Sequence, residues 1–222
     1  MSLALRTIAQ FFSALGHPLF MIFYMFFLYR VVNPYLFPHA NEKNMGLLSL
    51  VIIFTSIVIP VIGILLMKGV GFVSSLEMKD RKERIGPLMI TGVFYIWLYL
   101  NIRTHSAIPV SYATFVLGAL ISLALAFFIN NFSKISLHGV GLGGFLGGTL
   151  YLFLAEGREY LTVRMTDSLI MVHYLPLLIL LILTVGMILS SRLYLRAHVN
   201  RDVMGGFVVG LLGQMVAYGL LG

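Results

Sequence analysis

A histidine and an aspartate lie four residues apart near the end of the chain, between two long apolar runs. If the segment from Ala197 onward is helical, His198 and Asp202 share one face, and the carboxylate can accept the imidazole N–H. The second ring nitrogen is then free to act as a base or nucleophile. Arg192, six residues before the histidine, supplies a planar fork of donors suited to phosphate. This arrangement indicates phosphoryl transfer in which histidine attacks phosphorus.

The same twelve residues resemble a family signature. Ser191, Arg192, His198 and Asp202 follow the pattern Ser-Arg-x5-His-x3-Asp. This is the third motif of the type 2 phosphatidic acid phosphatase superfamily, membrane enzymes that remove phosphate from lipids through a phosphohistidine. The resemblance implies that His198 is the nucleophile, Asp202 its orienting partner and Arg192 a phosphate ligand. The alternative is a juxtamembrane basic cluster that only holds the helix ends at headgroup level.

The most charged stretch of the chain resembles the first motif of that superfamily, Lys-x6-Arg-Pro, in part. Lys79 is followed after six residues by Gly86-Pro87, so the second cation of the motif is missing from its usual place. Arg81 and Arg84, three residues apart, are expected to replace it from a turn earlier. The resemblance therefore implies that Lys79, Arg84 and Arg81 bind phosphate. A helical extension with i,i+4 ion pairs is the alternative interpretation of these charges.

The second motif, Pro-Ser-Gly-His, is resembled by the stretch from Ile135 to His138. Ile135 and Leu137 replace the proline and the glycine, whereas Ser136 and His138 keep their spacing. In the superfamily the serine and a backbone N–H hold the phosphate and the histidine protonates the leaving oxygen. The resemblance implies these roles for Ser136 and His138, and a helix N-terminus at this point would aim free N–H groups at an anion. An N-cap serine beside an interfacial histidine explains the stretch equally well.

The composition of the chain excludes a soluble domain. Of the 222 residues, 59% are hydrophobic and 10% are charged, and the mean hydropathy is +0.98, so there is too little polar surface to cover such a core. Runs without Asp, Glu, Lys or Arg predict an all-α polytopic membrane protein: one domain of seven transmembrane helices, six of which resemble the superfamily's core. The runs cover residues 7–29, 45–67, 85–102, 104–133, 135–155, 168–191 and 203–222.

Glycines recur at four-residue intervals in the fifth and seventh runs. Gly139, Gly143 and Gly147 form one series, and Gly206 and Gly210 form the other. Such small-xxx-small patterns let helices approach closely in lipid. The pattern predicts that the fifth and seventh spans pack against each other.

His17-Pro18 interrupts the first run. Proline in the middle of a span predicts a kink. For the histidine, the sequence favours a packed, hydrogen-bonded side chain over one that lines a substrate cavity.

The three motif-like stretches follow the second, fourth and sixth runs, so an alternating topology brings them to one face of the membrane. The predicted activity is hydrolysis of a lipid phosphomonoester or pyrophosphate, with no cofactor and no metal. Polyprenyl diphosphate, phosphatidylglycerophosphate, phosphatidate and a lipid A phosphate are the candidates. A lipid phosphotransferase and a non-catalytic lipid-binding or transport protein are the alternatives. Nucleic acid is not expected as a partner, because the basic residues lie in short loops between helices.

Two arguments about sidedness conflict. Ten of the 15 Lys and Arg residues fall on the face of the predicted site, which by the positive-inside rule makes that face cytoplasmic. Setting aside Lys79, Arg84, Lys134 and Arg192 as functional leaves six against five, and the bias disappears. Bacterial lipid phosphatases of the resembled superfamily commonly act at the outer leaflet. The expected location is therefore the bacterial inner membrane, with the site facing the periplasm or exterior and Gly222 in the cytoplasm.

Overall fold

Seven helical segments of the chain are long and apolar enough to cross a membrane, as the charge-free runs predict. The computed structural model describes residues 3–32, 34–37, 42–78, 80–155, 159–164 and 168–221. Within these ranges the α-helices are α1 (Leu3–Leu15), α2 (Met21–Val32), α3 (Glu42–Ile53), α4 (Ile59–Gly69), α5 (Ile85–Ile102), α6 (Val110–Asn130), α7 (Leu137–Ala155), α8 (Tyr174–Tyr194) and α9 (Asn200–Leu221).

Two of the spans are interrupted helices. The first combines α1 and α2, which are separated by a short 3-10 turn, Pro18–Phe20. His17 caps this turn by accepting the backbone N–H of Leu19 at Nδ1, 3.4 Å away. The second span combines α3 and α4 through a π-helical turn, Phe54–Val58. The interruption of the first span agrees with the kink predicted at His17-Pro18.

Two predicted boundaries are wrong. The run 104–133 becomes helical only at Val110, because Pro109 adopts an extended conformation at the N-cap. The run 168–191 begins instead with a strand, and its helix starts at Tyr174. The strands β1 (Tyr160–Arg164) and β2 (Leu169–His173) pair antiparallel, so the fold is helical with one added hairpin. Apolar content alone does not separate a short strand from the first turns of a buried helix.

Helices α7 and α9 pack in parallel with their backbones in contact, which confirms the packing predicted from the glycines. A Cβ atom on Gly143 would overlap the carbonyl oxygen of Phe207. In the same way, Cβ atoms on Gly206 and Gly210 would overlap the carbonyl oxygens of Ser136 and Val140. Since both helices run in the same direction, their N-termini lie side by side at one end of the bundle, which we call the site end.

The other helices enclose this pair. Helix α6 packs antiparallel against α9, and the hydroxyl of Ser122 reaches the carbonyl of Gly210 at 3.3 Å. Helix α1 lies along the last turns of α8, where Gly16 faces Ile188. At the other end of the bundle, the core beneath the hairpin consists of fully buried side chains. These are Ile22, Met25, Phe26, Tyr29, Tyr112, Phe115, Phe153 and Leu161.

The contact between α7 and α9 predicts opposite effects for two Gly→Ala substitutions on α9. Gly210→Ala drives a methyl group into the backbone of α7, and we expect the free energy of unfolding to fall by about 1–3 kcal/mol. Gly219 has no atom within 4 Å of an added Cβ, so Gly219→Ala is expected to stabilise the helix by up to about 1 kcal/mol. Thermal unfolding of both variants in detergent measures the difference. Equal midpoints for the two variants would contradict the close contact.

Candidate functional site

The turn between α8 and α9 carries the His198 side chain to the site end. Helix α8 ends in a Schellman motif, in which Ala197 N–H donates to Arg192 and Arg196 N–H donates to Leu193, at 3.2 and 2.9 Å. The backbone of Arg196 has a left-handed conformation there, with φ of 54°, at a position that glycine usually occupies. Because this motif turns the chain, helix α9 begins only at Asn200, so the helix from Ala197 onward that was the condition for a shared face does not form.

His198 and Asp202 are hydrogen-bonded even though the histidine precedes the helix. Nδ1 of His198 lies 3.1 Å from Oδ2 of Asp202, and only 8% of His198 is exposed. A carboxylate can only accept, so Nδ1 carries the proton and Nε2 keeps its lone pair. Asp202 also lies in the first turn of α9, where the helix dipole favours a negative charge. The geometry provides an oriented imidazole with one free nitrogen.

Burial lowers the pKa of His198 from its ordinary value of 6.5 to about 4. The hydrogen bond to Asp202 opposes this decrease, whereas the positive charges of Arg84, Arg192 and Lys134 add to it. Desolvation and the neighbouring Arg84 lower the pKa of Lys134 as well. At neutral pH the imidazole of His198 is therefore uncharged, which is the protonation state of a nucleophile.

Three cations surround the histidine, and we call Arg84, Lys134 and Arg192 the cation cluster. Arg84 is 6% exposed, and it donates through Nε to Met78 and through Nη1 to Ile135, at 3.0 and 2.8 Å. These bonds go to backbone carbonyls, so they fix the guanidinium without neutralising it.

The other two cations of the cluster are fixed in the same manner. Nζ of Lys134 donates to the carbonyl of Ala197 at 3.2 Å. Nη1 of Arg192 donates to the hydroxyl of Ser13 at 2.5 Å. Its Nε is buried and has no hydrogen-bond partner among the described residues. Arg192 therefore keeps donor capacity for a ligand.

Ser136 is the N-cap of α7 and does not line the cavity. Its side chain is fully buried, its hydroxyl accepts the N–H of Gly139 at 3.3 Å, and its own N–H donates to the carbonyl of Asp202 at 3.1 Å. Of the two interpretations of this serine, the structure agrees with the helix N-cap. The N–H groups of Leu137 and His138, in the first turn, have no carbonyl partner within the helix.

His138 lies in the cavity wall beside a second histidine. Its Nε2 is 3.0 Å from the carbonyl oxygen of Ser13, so the ring donates its proton there. The ring of His17 meets it edge to face, with centroids 5.6 Å apart. His17 lines the cavity as well, where the sequence favoured a purely packed side chain. Because Nδ1 of His17 accepts from Leu19, the proton of its neutral ring is on Nε2.

The cations proposed from the first motif have different positions. Arg84 belongs to the cation cluster. Arg81 donates to the carbonyl of Asn131 at 2.5 Å, and its own carbonyl accepts from Asn130, so it ties two loops together outside the cavity lining. Lys79 lies outside the described residues.

One cavity of about 790 Å³ connects these groups. The sequence does not single out the part of its wall formed by α1, where Arg6, Gln10 and Ser13 face inward. Spacings of four and three residues place these side chains on one helical face, but the run that contains them is apolar overall. Arg196 and Glu77 also line the cavity. Within the described part of the chain, His, Asp and Glu side chains do not form a group of three that could hold a metal ion.

No protein-family model, curated protein or solved structure matches the chain. The resemblance to the phosphatase superfamily therefore depends on the motif residues alone.

The pKa of His198 should respond in opposite directions to two substitutions. Lys134→Gln removes a positive neighbour and should raise the pKa above its value of about 4, whereas Asp202→Asn weakens the hydrogen bond and should lower it. NMR titration of ¹⁵N-histidine-labelled protein measures both shifts, with His198→Gln identifying the resonance. A wild-type pKa near 6.5, or shifts of the same sign, would contradict the described environment.

Proposed function

We propose that the protein is a metal-independent membrane lipid phosphatase that forms a phosphohistidine at His198. The observation that carries this proposal is a buried, neutral imidazole, oriented by Asp202, whose free nitrogen lies within the electrostatic reach of three fixed cations. A buried histidine–aspartate pair on its own would suit many reactions. A histidine nucleophile among guanidinium and ammonium groups suits the transfer of a dianionic phosphoryl group.

The reaction begins when Nε2 of His198 attacks phosphorus. The N–P bond forms, the bond between phosphorus and the lipid oxygen breaks, and that oxygen takes a proton. Water then attacks phosphorus, inorganic phosphate leaves, and the imidazole is restored. Asp202 holds the ring in one tautomer throughout and stabilises the positive charge that develops on it.

Electrostatic stabilisation supplies most of the rate in phosphoryl transfer. The cation cluster neutralises the phosphoryl oxygens, and Arg192 offers its free donor. The adjacent N-termini of α7 and α9 add two positive helix-dipole ends to the same place. Ser136 acts here by capping α7, which orients the first-turn N–H groups toward the anion.

We propose that His138 delivers the proton to the leaving oxygen. Because its Nε2–H is held by the Ser13 carbonyl, Nδ1 is the nitrogen that takes up a proton from water and passes it to the leaving oxygen, which returns the ring to its neutral form. His17, whose ring meets that of His138 edge to face, lines the cavity beside it.

The proposed substrate is a lipid phosphomonoester or pyrophosphate, because the cavity combines this cationic region with apolar walls formed by spanning helices. We propose membership of the type 2 phosphatidic acid phosphatase superfamily, with six of the seven spans as its core. A lipid phosphotransferase would use the same intermediate but pass the phosphoryl group to another acceptor. A non-catalytic lipid-binding protein is the other alternative, favoured by the hydrogen bond that already occupies His138.

We propose that the site end faces the periplasm or the cell exterior in a bacterial inner membrane. Arg84, Lys134 and Arg192 bind phosphate in this proposal, so we set them aside when the positive-inside rule is applied. A cytoplasmic fluorescent reporter fused after Gly222 should be active, whereas alkaline phosphatase, which is active only in the periplasm, should be inactive at this position. The opposite result would show that the site end faces the cytoplasm.

Phosphate release from a panel of purified lipids tests the proposed function. His198→Gln should reduce turnover by about 10³-fold or more, and Arg192→Gln by about 10²-fold, because one transition-state donor is lost. His105→Gln is the matched control, since His105 follows α5 at the end of the bundle remote from the site and should leave turnover unchanged.

Three results would contradict the proposal or redirect it. Undiminished turnover by His198→Gln would end the assignment of the nucleophile. Transfer of phosphate to an acceptor without release of inorganic phosphate would favour the phosphotransferase. Retained lipid binding without turnover on any lipid would favour the binding protein.

A further inference from the structure

The cavity extends from the site end into the middle of the bundle. Its outer part contains the cation cluster and His198. Its inner part, which we call the chamber, lies between α2, α5, α6 and α9. Its lining includes Thr91, Tyr95, Phe115, Ala119, Ser122 and Gln214.

The wall of the chamber is largely apolar, although it includes polar residues, and Oε1 of Gln214 is buried there without a hydrogen-bond partner among the described residues. Thr91 donates its hydroxyl proton to Pro87 at 2.7 Å, and Ser122 donates to Gly118 at 2.8 Å. Nε2 of Gln214 donates to the carbonyl of Phe115 at 3.2 Å. These donors are already engaged by helix carbonyls, so hydrocarbon can contact them without leaving a donor unpaired.

The chamber has a closed floor. Phe115 forms it, together with the fully buried core around Met25 and Tyr112. From Arg84 to Tyr95 there are eleven residues along α5, which corresponds to a depth of about 16 Å at 1.5 Å per residue. This depth is about half of the roughly 30 Å hydrocarbon core of a bilayer.

We infer that the substrate is a phosphate or diphosphate ester of a single hydrocarbon chain, and that this chain lies inside the chamber. The inference rests on the proposed function for the phosphate end of the ligand. An extended chain advances about 1.25 Å per carbon, given single bonds of about 1.52 Å at tetrahedral angles. The chamber therefore accommodates about 13 carbons.

A chain inside the bundle makes contacts that the empty chamber lacks, because the lining atoms have no partners across an unfilled apolar space. A lipid whose phosphate entered the site while its tails remained in the bilayer would leave this space empty. The single chamber with its closed floor thus selects for one chain and for its length.

The test measures kcat/KM for alkyl phosphates of 6 to 18 carbons, at concentrations where they are monomeric. We expect kcat/KM to rise about fourfold per methylene while the chain enters the chamber, and to level off near 13 carbons. Phosphatidate, with two chains, should be a poorer substrate. A chain-length series without a plateau, or equal kcat/KM for phosphatidate, would overturn the inference.

A matched pair of substitutions on α6 tests whether the chamber sets the chain length at which kcat/KM levels off. Ala119 lines the chamber one turn above Phe115, so Ala119→Phe should shorten it by about 6 Å and move the plateau down by about five carbons. Ala124 is exposed on the outer surface of α6, so Ala124→Phe should leave the plateau unchanged. Equal chain-length profiles for the two variants would overturn the inference.

Photo-crosslinking of the wild-type protein provides a readout that does not need turnover. A dodecyl phosphate with a diazirine at the chain terminus should label peptides of α5 and α6 at Tyr95 or Phe115. Labelling only at outward positions such as Trp97, which is 50% exposed, would place the chain in the surrounding lipid and overturn the inference. Labelling of the chamber without phosphate release from any lipid would instead retain the chamber and refute the proposed phosphatase.

Discussion

The backbone contact between α7 and α9 is the constraint on which the candidate site depends. Glycines on both helices allow this contact, and their parallel direction brings the two N-termini together. The backbone bond from Ser136 to Asp202 then joins the residue that caps α7 to the first turn of α9. The histidine before α9 and the histidine at the start of α7 therefore enter one cavity, although 60 positions separate them in the sequence.

The charge of the site end follows from how its cations are held. Lys and Arg side chains line the described part of the cavity at five positions, whereas Glu77 is the carboxylate in that lining. Carbonyl groups of loops fix Arg84 and Lys134, and a hydroxyl fixes Arg192. Such bonds orient a cation without cancelling its charge, so the cavity retains an excess of positive charge for an anionic ligand. Burial keeps the pKa of His198 low, and the same positive charges lower it further, which links the anion site to the nucleophile.

The sequence predicts the parts of this structure that have a strong periodic or compositional signal. Seven spans follow from charge-free runs, and the α7–α9 contact follows from glycines four residues apart. The pairing of His198 with Asp202 also follows from their spacing, although the helix begins later than expected. The Schellman turn was missed because it has arginine, not glycine, at its left-handed position.

Other features have weak signals in the sequence. The sequence of the strand Leu169–His173 predicts the beginning of a span, because its residues are as apolar as those of the helix that follows. The inward face of α1 carries only a few polar residues, and the run that contains them is apolar overall. Ser136 and Arg81 have the residue types of phosphate ligands, yet their hydrogen bonds are used for a helix cap and a loop contact. Only the three-dimensional contacts separate these structural uses from binding.

Mass spectrometry of the protein quenched in alkali during turnover of a dodecyl phosphate tests most directly whether His198 is the nucleophile. We expect an alkali-stable, acid-labile phosphoryl group on the peptide that contains His198, and its absence from His198→Gln. A phosphoryl group on His138 or His17, or turnover with no phosphohistidine at any time point, would contradict the central claim that His198 attacks phosphorus.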